Sequence, residues 1–181
     1  MLRRVSVGIL FALLSGASTV HGQTAQTWSI QLSALGVRLT GLGDTGLAFG
    51  GGGEVQLRWN PSAFSIGVGG QTTIHDLTGV TVTYRGAFIE PRYVLTSFGD
   101  RVAIYGSARL MTLSASLEVP VLGLQADTNG WALSGGGGLL IRLGDRVNAD
   151  LGLTGGKEYY DGRAADGTTV VSRIGLAIGL G

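Results

Sequence analysis

Strict alternation of apolar residues with small or polar residues over positions 131–154 is the feature that most constrains this chain. Apolar and small residues hold the odd positions from Trp131 to Leu143, the turn Gly144-Asp145-Arg146 follows, and the alternation resumes from Val147 to Thr154. A period of two is that of a β-strand. The segment therefore predicts a β-hairpin with one apolar face and one small or polar face.

The rest of the chain repeats this pattern. Strands are predicted at residues 28–39, 47–59, 63–74, 80–95, 102–113, 131–143, 147–154 and 170–180. In the fourth strand the apolar parity changes along the sequence, which predicts a β-bulge near Arg85-Gly86. No segment beyond the N-terminal region has the roughly 20 predominantly apolar residues of a membrane-spanning helix.

Composition narrows the class of protein. A formal net charge of +1 argues against nucleic acid as a partner. Glycine accounts for 33 of 181 residues, and in strands it marks bends or close backbone approach. The chain has no cysteine, so it has no disulfide framework and no Cys-ligated metal site.

The N-terminus predicts export. Arg3 and Arg4 precede a short apolar run, Val5 to Leu14, and small or polar residues follow to Gly22. This is the pattern of a secretory signal peptide. We expect a cleaved signal peptide over residues 1–22 and one domain over residues 23–181. Cleavage before Gln26 and a retained N-terminal anchor helix are the alternatives.

The connections after the second, fourth and sixth strands are tight, and those after the first, fifth and seventh are longer, although the one after the third strand is short. This alternation is typical of outer-membrane barrels with short periplasmic turns and longer external loops. The sequence thus predicts an all-β fold, an eight-stranded antiparallel up-and-down transmembrane β-barrel. The outward loops are expected at residues 40–46, 114–129 and 157–169.

Aromatic residues are expected at both ends of the strands, as in the two interfacial girdles of a transmembrane barrel. Tyr84 and Tyr160 are also placed at the loop end, and Phe98 at the turn end. The predicted girdle residues are Trp28, Phe49, Trp59, Phe64, Tyr93, Trp131 and Tyr159.

The strand pattern, the export signal and the segment Gly86-Ala87-Phe88-Ile89-Glu90-Pro91-Arg92-Tyr93 resemble the small outer-membrane β-barrel proteins of Gram-negative bacteria, a group that includes the OmpA membrane domain, OmpX and OmpW. The resemblance implies a monomer in the bacterial outer membrane. It also implies outer-membrane lipids, lipopolysaccharide and the barrel-assembly machinery as partners. Members usually end in an aromatic residue, whereas this sequence ends Leu180-Gly181.

If the apolar face contacts lipid, charged residues of both signs point into the lumen, where ion pairs must compensate their burial. An eight-stranded barrel has room inside for side chains or one small ligand. We expect these charges to close the lumen, with ion conduction or an anionic ligand as alternatives. The predicted interior charges are Glu54, Arg58, Glu90, Arg92, Arg109, Arg142, Asp150 and Arg173.

Catalytic and cofactor signals are weak. His75, beside Asp76, is expected to be a solvated loop residue, because no serine nucleophile is placed beside it. Gly41 to Gly46 matches G-x-G-x-x-G, but a strand follows it in place of the helix that dinucleotide binding needs. We expect no enzyme activity, no cofactor and no metal.

The expected function is structural, adhesive or defensive, through the outward loops. Transport or binding of a small solute, as in OmpW-like proteins, is the first alternative. A lipid-modifying outer-membrane enzyme and a soluble periplasmic barrel with a polar outer face are the others.

Overall fold

The computed structural model describes residues 27–40, 47–77, 80–119, 123–161, 163–164 and 167–180. The predicted signal peptide and the Gly41–Gly46 motif lie outside these residues. The described strands are β1 (Trp28–Thr40), β2 (Leu47–Trp59), β3 (Phe64–Leu77), β4 (Val80–Phe98), β5 (Val102–Val119), β6 (Leu124–Arg142), β7 (Val147–Tyr160), β8 (Arg163–Ala164) and β9 (Thr168–Leu180).

Eight of these strands close into a ring. Each pairs antiparallel with its neighbours in the chain, and β9 pairs with both β7 and β1. The two-residue strand β8 pairs only with the outer end of β7. The predicted eight-stranded antiparallel barrel is confirmed. Among the described residues, no helix is long and apolar enough to cross a membrane.

The strand register sets the tilt of the barrel. Paired residues lead around the wall through Ile30, Leu57, Val68, Ile89, Leu110, Leu133 and Lys157. Continued over β9, the same register returns to β1 at Thr40. One circuit thus climbs ten residues, from Ile30 to Thr40, and strands staggered in this way tilt by about 35–45° from the barrel axis.

The outward face of the barrel is apolar. In β1, exposed and buried residues alternate without a break from Trp28 to Leu39. Large apolar side chains point away from the lumen around the wall, for example Leu32 (59% exposed) and Ile174 (67% exposed). Because a soluble barrel needs a polar outer face, this apolar band rules out the soluble alternative and indicates contact with lipid.

The predicted bulge near Arg85-Gly86 is wrong. The pairing of β3 with β4 continues unbroken from Phe64 and Tyr93 to Leu77 and Val80. A register shift occurs instead against β5, between Val94 and Thr96. The apolar parity changes along β4 because the lining of the lumen changes from polar in the middle to apolar in its outer half. Val82 and Glu90 therefore both face inward, although one is apolar and the other is charged.

The β5–β6 hairpin, formed by residues 114–129 at its outer end, is longer than predicted. Residues 114–129 were predicted to be a loop, but Ser114 pairs with Asn129 and the ladder continues to Val119 and Leu124. Likewise, β7 extends to Tyr160, so residues 157–160 of the predicted third loop belong to a strand. The outer ends of β5 and β6 therefore form a paired two-stranded ribbon in place of an open loop.

Candidate functional site in the barrel lumen

Seven of the eight predicted interior charges meet in the middle of the lumen. All seven are buried, and they project from five different strands, β2, β4, β5, β7 and β9. Inward parity on each strand puts them on the lumen side of the wall. We call this group the charge cluster: Glu54, Arg58, Glu90, Arg92, Arg109, Asp150 and Arg173.

Glu90 is the carboxylate that the arginines share. It is completely buried, and both of its oxygens accept charge-assisted hydrogen bonds. The guanidinium nitrogens around it are Arg58 Nη2 at 2.9 Å, Arg92 Nε at 2.6 Å, Arg109 Nη2 at 2.5 Å and Arg173 Nη1 at 3.0 Å. One carboxylate thus joins all four arginines of the cluster.

The other two carboxylates complete the network. Glu54 accepts from Arg109 at 2.8 Å and from Arg173 at 3.3 Å. Asp150 lies 2.8 Å from Arg92 Nη1 and also accepts from the hydroxyl of Tyr105 at 2.6 Å. Because each buried charge has an oppositely charged partner, the cost of removing it from water is offset within the lumen.

Tyr105 fills the lumen beside this network. Its hydroxyl accepts from Arg173 at 2.9 Å while donating to Asp150, and Arg92 lies 4.4 Å from the centre of its ring. The phenol packs directly against Gly138 of β6, where any larger residue would meet the Tyr105 ring. Gly138 thus leaves room for the Tyr105 ring, one of the large side chains that close the barrel.

Arg142 lies outside the charge cluster, contrary to the prediction. It has the inward parity, but it is the last residue of β6, at the turn end of the barrel. There it donates to the carbonyl of Gly144 and lies 3.4 Å from Asp145, with a quarter of its side chain exposed. Parity alone does not report how deep in the lumen a side chain lies.

The outer half of the lumen has a different lining. Apolar side chains pack there in two groups, one around Leu35, Val37 and Leu39 and the other around Phe88, Met111 and Leu113. His75 also belongs to this region: it is only 1% exposed, so its prediction as a solvated loop residue was wrong. Periodicity in β3 places His75 on the inward parity, which was the available signal.

The seven predicted girdle residues all have the outward parity, although Tyr93 and Trp131 lie several residues inside β4 and β6. Trp28 pairs with Trp59 at the turn end, and Phe64 pairs with Tyr93. At the loop end, Trp131 stacks on Tyr159 with ring centres 4.0 Å apart, and Phe49 is 66% exposed.

Two further aromatic residues were wrongly placed on the girdle. Tyr84 and Tyr160 have the inward parity of their strands, and both pack against the apolar groups of the outer lumen. Their aromatic side chains line the lumen because its outer half is apolar.

Comparison with known proteins supports the fold. No protein-family model and no curated protein matches the chain. Among solved structures, Neisserial surface protein A (NspA) matches with a TM-score of 0.73 and 13% identity, over 85% of this chain and 97% of that one. Ail, the attachment invasion locus protein of Yersinia pestis, matches with a TM-score of 0.58 and 15% identity, over 83% and 96%.

The N-terminal β-barrel domain of Pseudomonas aeruginosa OprF matches with a TM-score of 0.55 and 15% identity, over 84% of this chain and 98% of that domain. The matches span nearly the whole length of each neighbour, so the likeness extends over the entire barrel. The predicted location in the bacterial outer membrane agrees with this fold and with the apolar outer band. The chain has the fold of the small eight-stranded outer-membrane β-barrel proteins, as its strand pattern predicts.

Proposed function

We propose that this protein is a non-enzymatic outer-membrane barrel with a closed lumen, which acts at the cell surface through its β5–β6 hairpin. The observation that carries the closed lumen is the junction of four arginines on Glu90, and the paired β5–β6 hairpin beyond the wall supports the surface role. An ion crossing the lumen would have to separate these pairs in a medium of low dielectric constant, where separated charges are costly.

The space around the charge cluster supports a closed lumen. A cavity of about 40 Å³ lies on its outer side, lined in part by Arg109, and one of about 20 Å³ lies on its inner side, lined in part by Arg58 and Arg92. The side chains between them come from both walls of the barrel. Such a lumen favours a structural, adhesive or defensive role over transport.

The geometry of His75 supports a non-enzymatic role. Nucleophilic catalysis by a hydroxyl needs a base within hydrogen-bond reach of it. Neither ring nitrogen of His75 has a hydrogen-bond partner among the described residues. A lipid-modifying activity would therefore lack its activated nucleophile at this histidine.

Lipopolysaccharide is the surrounding lipid that fits the outer rim of the barrel. Arg38, Arg85 and Lys157 are exposed on the outward face near the outer ends of their strands. Arg38 lies over the ring of Phe49, 5.8 Å from its centre, and Lys157 lies two residues before the stacked Tyr159. Cations at the level of an aromatic girdle match the phosphate groups of lipid A, while the barrel-assembly machinery remains the expected route of insertion.

A hairpin replacement tests the surface role. Asn-Gly in place of residues 116–127 would join the paired residues Ala115 and Thr128 and leave the barrel wall intact. We expect normal amounts of folded protein in the outer membrane but a loss of cell adhesion or serum survival equal to that of a deletion strain. A strain whose phenotype differs from the deletion strain and equals wild type in every assay would contradict the proposal.

A further inference from the structure

The outer half of the lumen contains a pocket that the charge cluster does not fill. The cavity of about 40 Å³ is closed below by Arg109 and has apolar walls that include Val37, Leu39 and Met111. A water molecule needs about 10–15 Å³ of such space, so the cavity holds the equivalent of about three waters. It has room for a small molecule or for one end of a larger one.

His75 is a buried polar side chain that lines this pocket, and it has no hydrogen-bond partner within the part of the chain that the structure describes. Its ring packs over Gly50, where a Cβ atom would collide with it, and stands edge-on to Tyr84 with ring centres 5.2 Å apart. Neither Nδ1 nor Nε2 is hydrogen-bonded among the described residues. A buried polar group in this state is unfavourable, and a ligand that hydrogen-bonds to it would remove that cost.

Glu158 supplies a negative charge at the same pocket. Tyr160 donates to one of its carboxylate oxygens and Thr169 to the other, each at 2.7 Å. No described arginine, lysine or histidine forms an ion pair with Glu158, and Lys157 next to it has the outward parity. The carboxylate is therefore held in position by two hydroxyl groups, and no cation of the described residues forms an ion pair with it.

Arg109, the arginine that lines the pocket, is already paired with carboxylates of the charge cluster. Arg109 is shared by Glu54, Glu90 and the side-chain oxygen of Gln71, at 2.5–2.8 Å. Its guanidinium also lies over the ring of Phe88 at 3.9 Å from the centre. Lys157 also borders the pocket, but its outward parity directs its side chain away from the lumen. Among the described residues, the pocket therefore has no free cation that points inward to meet an anionic ligand, contrary to what an excess of arginines in the sequence suggests.

We propose that this pocket binds a small primary ammonium compound with a short alkyl chain. The ammonium group would pair with Glu158 and donate to a ring nitrogen of His75, the ring of Tyr84 would face the positive charge, and the apolar walls would hold the alkyl chain. The inference requires the barrel fold but is independent of the surface role of the β5–β6 hairpin.

Three probes of equal chain length test the charge preference. Purified full-length protein, folded in detergent micelles, is titrated with n-butylammonium, n-butanol and butyrate, and imidazole ¹⁵N chemical shifts of His75 are recorded. We expect saturable binding of n-butylammonium, with a Kd at least tenfold lower than for the other two. Equal or tighter binding of butyrate or butanol, or no binding of any probe, would overturn the proposal.

Two variants locate the site. Glu158→Gln keeps the shape of the side chain and removes its charge, and should weaken n-butylammonium binding at least tenfold, whereas the exposed Glu118→Gln should leave it unchanged. If Glu158→Gln does not fold, as judged by heat-dependent gel mobility, Ala132→Leu fills the same cavity without changing charge and should also abolish binding. Unchanged affinity in the folded variants would place the bound ammonium elsewhere.

Discussion

Arg173 donates to Glu90 at 3.0 Å across the lumen, although the two residues are 83 positions apart in the chain. Arg173 is on β9 and Glu90 is on β4, which are opposite strands of the eight-stranded ring. The contact therefore links two walls that share no backbone hydrogen bonds. The same ion pairs therefore close the lumen and stabilise the barrel.

Replacing Glu90 with glutamine should strongly destabilise the barrel. The substitution removes the one charge that all four arginines share and leaves their guanidinium groups to repel one another. Breaking a buried ion pair in this way costs about 3–5 kcal/mol. Urea unfolding in detergent, followed by the loss of the heat-sensitive gel band, measures the change. Glu118→Gln is the matched control, because Glu118 is exposed on the β5–β6 hairpin, and equal stability of the two variants would contradict the role of Glu90.

Replacing Tyr105 with phenylalanine should cost about 1.5–3 kcal/mol, the range for hydrogen bonds to charged groups. The ring remains, but the hydroxyl no longer donates to Asp150 or accepts from Arg173. The same unfolding assay detects the loss. Tyr159→Phe keeps the stack on Trp131 at the outer surface and should change stability by less than about 0.5 kcal/mol. A Tyr105→Phe barrel as stable as Tyr159→Phe would show that the network does not depend on this hydroxyl.

A charge on the outward face should cost more in the middle of the wall than at its edge. Ile174 and Thr168 have the same outward parity on β9, six positions apart. Arginine in a transmembrane barrel costs about 2–4 kcal/mol at the bilayer midplane and about 0–1 kcal/mol near the interface. We therefore expect Ile174→Arg to be destabilised far more than Thr168→Arg when each refolds into lipid vesicles. Similar values for the two would argue against a membrane spanning this part of the wall.

The outward cations should retain anionic lipid. A triple variant with glutamine at Arg38, Arg85 and Lys157 keeps the polar character of the rim and removes its charge. We expect less lipopolysaccharide, measured as phosphate per mole of protein, to copurify with it than with wild type. The control is Arg163→Gln on the short strand β8, and a triple variant that retains the wild-type amount would exclude these three residues as the lipid contact.

The sequence predicted the wall of the barrel well because lipid imposes a strict rule on it. Trp28, Ile30 and Leu32 are apolar on the outward parity of β1, and the charged Arg38 of the same parity lies near the outer end of the strand. The same reasoning placed Glu90 and Asp150 in the lumen, because both have the parity opposite to the lipid-facing residues of their strands. Which charged residues form ion pairs with one another could not be predicted, because this depends on the ten-residue stagger of the strands, which only the register reveals.

The errors came from treating the lumen as polar throughout. Val82 and Tyr84 are apolar or aromatic yet face inward, and reading them as lipid-facing produced a bulge that does not exist. His75 was placed in a solvated loop for a different reason: the third strand was predicted to end at residue 74, whereas β3 continues to Leu77. The β5–β6 hairpin was mistaken for a loop because its outward residues, such as Ser114 and Ser116, lie beyond the apolar band and need not be apolar.

Ion conductance in planar lipid bilayers tests the closed lumen most directly. Purified, refolded protein is added to bilayers in which a known porin, measured under the same conditions, gives discrete openings. With the Glu90 junction intact, the wild-type barrel should insert without producing conductance steps. Regular openings of the wild-type protein that disappear when the barrel is unfolded would contradict a lumen closed by the charge cluster.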